Sequence, residues 1–206
     1  MSHAEALPVA APCLTAVLFS LSGCLVDFGA RAHLQNVATA DDAHLTQGAL
    51  ESLRSLQLQQ IPCAWLDELP PALSIALTAN LPEWVKSSQH SATTPPWPAP
   101  NACWQALMAL NVERLDGCVL VSGEPRLLQA GLNAGLWTIG LASCGSLCGL
   151  APSEWQALSQ KEREHLRGKA TVELFGLGAH SVIDHLGELN TCLADINLRR
   201  LKGEKP

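Results

Sequence analysis

The stretch AVLFSLSGCLVDFG, residues 16–29, places small polar side chains directly after an apolar run of strand length. Ser20, Ser22 and Cys24 follow that run at alternate positions. A hydroxyl or thiol at a strand tip can act as a nucleophile when an adjacent general base takes its proton. Three histidines are candidate bases: His33, His180 and His185. Their spacing supports no catalytic triad, so a structural or surface role is the favoured interpretation of these histidines.

The hydrophobic pattern of the whole chain predicts strands that alternate with helices. Continuous apolar runs of strand length are typical of strands buried on both faces of a parallel sheet. The predicted strands span residues 14–19, 61–66, 118–121, 136–141 and 179–183. The predicted helices span residues 46–59, 70–77, 101–110, 124–135, 153–178 and 185–201, and the proline-rich stretch 91–100 is predicted as an extended loop. This alternation indicates an α/β fold with a doubly wound parallel sheet.

Ligands of such a sheet bind at the carboxyl ends of the strands, so chemistry is expected just after Phe19, Leu66 and Val121. The stretches LFSLSGCLVDFG, GLNAGLWTIGL and GAHSVIDHLGEL together resemble the haloacid dehalogenase superfamily and, within it, the phosphonoacetaldehyde hydrolases. The resemblance runs from about Thr15 to Leu201. It implies a Rossmann-like core. It also implies that an aspartate at the first strand tip attacks phosphorus with magnesium assistance, after a lysine of a helical cap domain has formed a Schiff base with the aldehyde.

The first motif of that family runs aspartate, two residues, glycine, threonine, and the matching positions here are Ser20, Gly23 and Cys24. A serine hydroxyl without a base is a weak nucleophile and a poor ligand for a hard cation. Ser22 stands where many superfamily members keep an acid/base aspartate, which phosphonoacetaldehyde hydrolases typically lack as well. Asp27 is predicted to be a turn or capping residue.

The second and third motifs also lack their functional side chains. A phosphate-binding threonine or serine is expected after the second strand, where Leu66, Asp67 and Glu68 stand. The aligned position of the phosphate-binding lysine or arginine is Trp97. A phosphoryl group would therefore meet carboxylates and an indole instead of a hydroxyl and a cation.

The fourth motif supplies magnesium-binding carboxylates, and Gly123 and Leu127 occupy their positions. Glu124 lies one residue away and could reach inward, but a single shifted carboxylate does not make an octahedral site. We therefore expect no cofactor and no metal, although magnesium is the cofactor that the resemblance implies.

The cap domain is also missing from the sequence. The family inserts a helical bundle after the first strand, but only residues 29–46 are available here, and they contain no lysine. We interpret residues 1–206 as a single capless core domain, residues 1–13 as a tail and residues 29–46 as a remnant of the cap insertion. Without a cap, the crevice at the strand tips is expected to be open to water.

Composition narrows the classes of partner. The net charge is -6, from 13 basic and 19 acidic residues, and this lacks the basic excess that nucleic acids or anionic membranes require. No apolar run approaches the roughly 20 residues that span a bilayer, and no basic residue precedes the first apolar stretch, so a cytoplasmic location is expected. The eight cysteines are scattered, and Cys144 and Cys148 are interpreted as parts of a structural loop.

Two functions remain open at this point. The favoured one is a non-catalytic pseudoenzyme that acts as a binding or regulatory protein, with an unknown protein partner or as a homodimer. The alternative is a phosphatase- or phosphonatase-type hydrolase with a rearranged active site, using Ser20 or Cys24. Trp65, Trp84 and Trp97 fall beside the expected crevice and could either anchor a partner or fill the space of the lost cap.

Overall fold

The protein folds around a six-stranded parallel sheet. A computed structural model describes residues 14–35, 37, 39, 41–89 and 94–206, so the predicted tail at residues 1–13 lies outside the described part of the chain. The strands are β1 (Ala16–Ser20), β2 (Cys63–Asp67), β3 (Lys86–Gln89), β4 (Cys118–Ser122), β5 (Trp137–Leu141) and β6 (Ser181–Ile183). They lie in the order β3-β2-β1-β4-β5-β6, with every neighbouring pair parallel.

Helices connect and cover the strands. They are α1 (Arg31–Gln35), α2 (Ala49–Leu58), α3 (Pro71–Leu77), α4 (Asn101–Ala109), α5 (Pro125–Asn133), α6 (Pro152–Ala157), α7 (Gln160–Gly176) and α8 (Leu189–Leu201). Val17 and Phe19 of β1 belong to the core cluster that includes α2 and α8, whereas Leu18 belongs to the cluster that includes α4 and α5. The sheet is therefore buried on both faces, as its continuous apolar strands predict.

The fold class expected from the sequence is confirmed, with two differences in detail. The polar edge strand β3 was not predicted. Among the described strands it pairs only with β2, and its sequence KSSQ has no apolar run of the kind on which the strand predictions depend. The predicted helix over residues 153–178 is two helices, because Ser159 caps α7 by accepting a hydrogen bond from Glu162 N while the Glu162 carboxylate accepts one from Ser159 N.

The segment between β1 and α2 holds no helical bundle in the part of it that the structure describes. Its one helix there is α1, of five residues. The architecture is therefore that of a capless core. Among the described residues, no helix is long and apolar enough to cross a membrane.

Candidate functional site

Two serines meet at the carboxyl ends of the central strands. Ser20 ends β1, Ser122 ends β4, and Ser122 Oγ donates a hydrogen bond to Ser20 Oγ over 3.0 Å. Ser122 Oγ also accepts a hydrogen bond from Glu124 N at 2.9 Å. Ser20 is only 2% exposed and Ser122 is fully buried. The sequence predicted an open crevice here, but both hydroxyls are turned to one another and closed off from water.

Backbone packing explains why the crevice is closed. Gly23 follows β1, Gly123 follows β4, and Gly145 lies in the loop after β5. A Cβ atom at Gly123 would lie 2.4 Å from Gly23 O and 2.8 Å from Gly145 Cα, and a Cβ at Gly145 would lie 2.1 Å from Gly123 O. Three turns thus touch through their main chains, at distances that no side chain leaves room for. We call this contact the glycine junction.

Asp27 organises the turn that follows β1. Its carboxylate accepts hydrogen bonds from Ser22 Oγ at 2.6 Å, from Arg31 N at 2.9 Å and from Ala32 N at 3.0 Å. The last two donors are backbone amides in the first turn of α1, which have no partner within the helix. Asp27 therefore caps that helix, which agrees with the role predicted for it. Ser22 is 4% exposed and supports the carboxylate rather than a reaction.

Cys24 is fully buried behind Ser20. Its Sγ lies 3.6 Å from Val121 O, and burial raises the pKa of this thiol far above its ordinary value. Burial likewise raises the pKa of Cys144 in the glycine-junction loop. Because the thiolate is the nucleophilic form, neither sulfur is activated for attack. All cysteines in the described part of the chain are free thiols.

The carboxylate at the end of β2, that of Asp67, stabilises a local turn. Asp67 accepts hydrogen bonds from Leu69 N at 2.7 Å and from Ser74 Oγ at 3.3 Å, and only 4% of it is exposed. These contacts fix the turn that leads into α3. Asp67 therefore lies after the second strand, as predicted, but its carboxylate is engaged in hydrogen bonds within this turn.

Arg126 is a cation at this edge that sequence reasoning missed. Its guanidinium donates to Trp97 O and lies 3.5 Å from the Glu68 carboxylate, which in turn accepts a hydrogen bond from Trp97 N at 2.6 Å. Arg126 thus binds the backbone oxygen of Trp97, and Glu68 binds its backbone nitrogen. The sequence placed Arg126 in the first turn of a predicted helix, but it did not indicate Glu68 or Trp97 as its partners.

Glu124 does not reach the serine pair with its side chain. Its carboxylate accepts a hydrogen bond from Arg126 N at 3.2 Å and caps α5, with Pro125 at the first helical position. The carboxylate of Glu124, one residue away from the expected metal-ligand position, therefore caps a helix.

The histidines lie away from Ser20. His180 precedes β6, and its Nδ1 accepts a hydrogen bond from Thr138 N at 3.1 Å near the amino end of β5, the opposite end of the sheet. Burial, together with the charge of Arg199, lowers the pKa of His180. His185 follows β6, three strands from β1, which is roughly 14 Å at ordinary strand spacing. The His33 side chain lies outside the described residues. No described histidine forms a triad with Ser20 or Cys24.

Comparisons with known proteins identify the family. A Salmonella paratyphi C protein named phosphonoacetaldehyde hydrolase is 30% identical over 201 residues, which cover 91% of this chain and 72% of that protein. The chain belongs to the phosphonoacetaldehyde hydrolase family. A Klebsiella pneumoniae protein of the same name is 36% identical over 126 residues, but that match spans only 45% of its length. No protein-family model matches the chain.

Solved structures agree with the capless phosphonatase-like fold, which is a haloacid dehalogenase fold. One is 62% identical, with a TM-score of 0.91, and the match covers 94% of this chain and all of that one. Another, a phosphonoacetaldehyde hydrolase like protein from Oleispira antarctica, is 21% identical with a TM-score of 0.85 and complete coverage of both chains.

Three motif positions of the phosphonoacetaldehyde hydrolase family lie together in one hydrophobic cluster here. Leu66 is one of the three residues found where the resemblance expects a phosphate-binding hydroxyl, and Trp97 and Leu127 are aligned with an expected cation and an expected acidic residue; all three are at most 4% exposed. The apolar replacements thus pack within the same core. We call these three residues the apolar triplet.

Burial decides between the two roles considered for the tryptophans. Trp65 is 5% exposed and Trp97 is 4% exposed, so neither ring can anchor a partner. Both rings fill the interior, and Trp84 is half-buried against the core. The interpretation of Trp65 and Trp97 as docking residues is therefore wrong.

Proposed function

We propose that this member of the phosphonoacetaldehyde hydrolase family is a non-catalytic binding or regulatory protein. The family is one of hydrolases, and the proposal concerns this chain alone. One observation carries it. The position of the family's metal-binding aspartate is Gly123, and the glycine junction leaves no space for any side chain there.

The serine pair supports the same proposal. A phosphoryl acceptor must be exposed to its substrate, whereas Ser20 is 2% exposed and its hydroxyl is hydrogen-bonded to Ser122. A serine also needs a base, and no described carboxylate or imidazole contacts either hydroxyl. Attack on phosphorus from this position would first require the turns after β1 and β4 to separate.

The residues at the strand tips do not fit a magnesium ion. Mg²⁺ requires near-octahedral oxygen ligation, usually through one or two carboxylates. The neighbouring carboxylates are those of Asp27, Asp67, Glu68 and Glu124, and each accepts at least one hydrogen bond from a backbone amide of the chain. Within the described residues, no group of three or more His, Cys, Asp or Glu side chains could hold a metal. The proposal therefore includes the absence of a metal cofactor.

Turnover assays test the proposal directly. We expect the purified protein with magnesium to release phosphate from phosphonoacetaldehyde and from p-nitrophenyl phosphate no faster than a blank without protein. The reason is that the nucleophile and the metal ligands of phosphoryl transfer are missing, and that Arg126, a cation at this edge, is already paired with Glu68. The Salmonella paratyphi C relative, assayed in parallel, serves as the positive control.

The alternative hydrolase with a rearranged site has a distinct signature. Turnover that disappears in a Ser20→Ala or a Cys24→Ala variant would establish it and refute the proposal. Turnover that survives both variants would indicate a contaminating phosphatase, because the preparations share everything except the two candidate nucleophiles.

Self-association is a further part of the proposal, in a protein that we expect to act in the cytoplasm. Trp104 and Met108 lie one turn apart on α4 and are 42% and 66% exposed, so they form an apolar strip. We expect light scattering to give about twice the chain mass of 21.9 kDa. Met108→Glu should shift the mass toward the monomer, whereas Leu58→Glu, on the exposed face of α2, should not. A monomeric wild type would contradict self-association.

A further inference from the structure

A large cleft in the described part of the chain lies beside the closed strand tips. Its volume is about 980 Å³, within the size range of small-molecule sites. Residues 41–47 form one wall, α6 and the first half of α7 form the other, and Ser143, Asp184 and His185 lie at the carboxyl ends of β5 and β6. We call this space the polar cleft. It is separate from the serine pair, which is buried.

The inward-facing stripe of α7 is apolar beside the sheet and polar beyond it. Ala170 and Leu174 are buried, and Leu174 packs with Leu128 and Ala179 beside the strands. The same stripe, continued toward the helix start, carries Gln160, Arg163 and Arg167 and lines the polar cleft. The inward-facing stripe of a helix is normally apolar. Polar and charged side chains at these positions therefore indicate that the space they face is polar.

The polar cleft is lined by the carboxylates of Asp41, Asp42, Glu164 and Asp184 and by three arginines, two of which form ion pairs. Arg167 forms an ion pair with Asp184, and Arg31 forms one with Glu154 at 3.1 Å. Arg163 makes no side-chain hydrogen bond or ion pair with any residue that the structure describes. It lies four residues before Arg167 on the same helix, where like charges repel. An anion beside Arg163 would relieve that repulsion.

The wall also carries aromatic surface. Phe28 and Trp155 line the polar cleft, and their ring centroids are 5.9 Å apart with a tilt of 52°. Both rings are half-buried, so part of each is open to the space. Aromatic rings and an unpaired guanidinium that line the same cleft suit a ligand that has an apolar body and an oxyanion head.

We propose that the polar cleft binds a small aromatic or similarly apolar molecule that carries a carboxylate or phosphoryl group, with this oxyanion paired to Arg163. The inference deepens the proposed function, on which it rests for the statement that the ligand is bound and not turned over. The guanidinium of Arg163 can present two parallel N–H donors to either kind of oxyanion. Phe28 and Trp155 contact the body of the ligand.

Calorimetric titration of the full chain tests this site with three probes: benzoate, phenyl phosphate and neutral benzamide. We expect at least one of the two oxyanions to bind and benzamide to bind at least about tenfold more weakly. The stronger of the two oxyanions identifies the head group as carboxylate or phosphoryl. Absence of binding by both, or equal binding of benzamide, would overturn the proposal.

Arg163→Gln should weaken oxyanion binding by about 10- to 100-fold, because a charge-assisted hydrogen bond is lost. Lys169→Gln is the matched control, since it removes one positive charge from an exposed position of the same helix and should leave the affinity unchanged. An Arg163→Gln protein that unfolds like the wild type and binds as tightly would refute the site. Phosphate release from phenyl phosphate in the same samples would refute the proposed function and not the cleft.

Discussion

Replacing Gly123 by alanine is expected to destabilise the protein by about 3 kcal/mol. The new methyl group would lie 2.4 Å from Gly23 O, 2.8 Å from Gly145 Cα and 2.9 Å from Cys144 O. All three neighbours are backbone atoms, so no flexible side chain can move aside, and the turns after β1, β4 and β5 must separate. The free energy of unfolding from urea titration measures the loss.

Gly168→Ala is the matched control for this substitution. Gly168 lies inside α7, and a Cβ there would meet nothing within 4 Å. Alanine is the better helix residue, so a gain of about 0.5–1 kcal/mol is expected. If Gly123→Ala proved as harmless as Gly168→Ala, the glycine junction would not be closed as described, and the main support for a non-catalytic protein would be lost.

Truncation of Trp97 is expected to have the second large effect. Trp97→Ala should cost about 3–5 kcal/mol, because it empties a site in the cluster that covers one face of the sheet. The cavity would lie in the cluster that also contains Leu66 and Leu127, the other members of the apolar triplet. Chemical denaturation of the variant and the wild type in the same buffer gives the difference.

Trp97→Phe separates packing from hydrogen bonding. The indole Nε1 of Trp97 is buried and has no hydrogen-bond partner among the described residues, so a phenyl ring forfeits no such bond. We expect a cost below about 1.5 kcal/mol, since most of the aromatic volume is kept. A Phe variant as unstable as the Ala variant would show that the ring of Trp97 is not held by packing alone.

The sequence predicted the sheet because apolar runs report burial on both faces. Five of the six strands could be located in this way, and β3 could not, since Lys86–Gln89 is a polar edge strand. The boundary between α6 and α7 was readable in principle, because Ser159 and Glu162 have the spacing of a capping box.

The closure of the site could not be predicted from local pattern. It depends on Gly145, more than a hundred residues from Gly23 in the chain, reaching the turn after β1. The resemblance directed attention to Ser20 and Gly123, but it did not indicate that the chain around them would exclude water. The pairing of Arg126 with Glu68 is likewise a tertiary contact without a sequence signature.

The apolar triplet also limits how this chain could change over evolutionary time. Leu66, Trp97 and Leu127 belong to one hydrophobic cluster, so a polar side chain introduced at any of these positions would be buried among apolar residues. Burying such a group without a partner costs about 1–3 kcal/mol, a large share of the stability of an ordinary domain. Polar residues introduced one at a time would lower the stability of every intermediate, so the apolar triplet resists change through single substitutions.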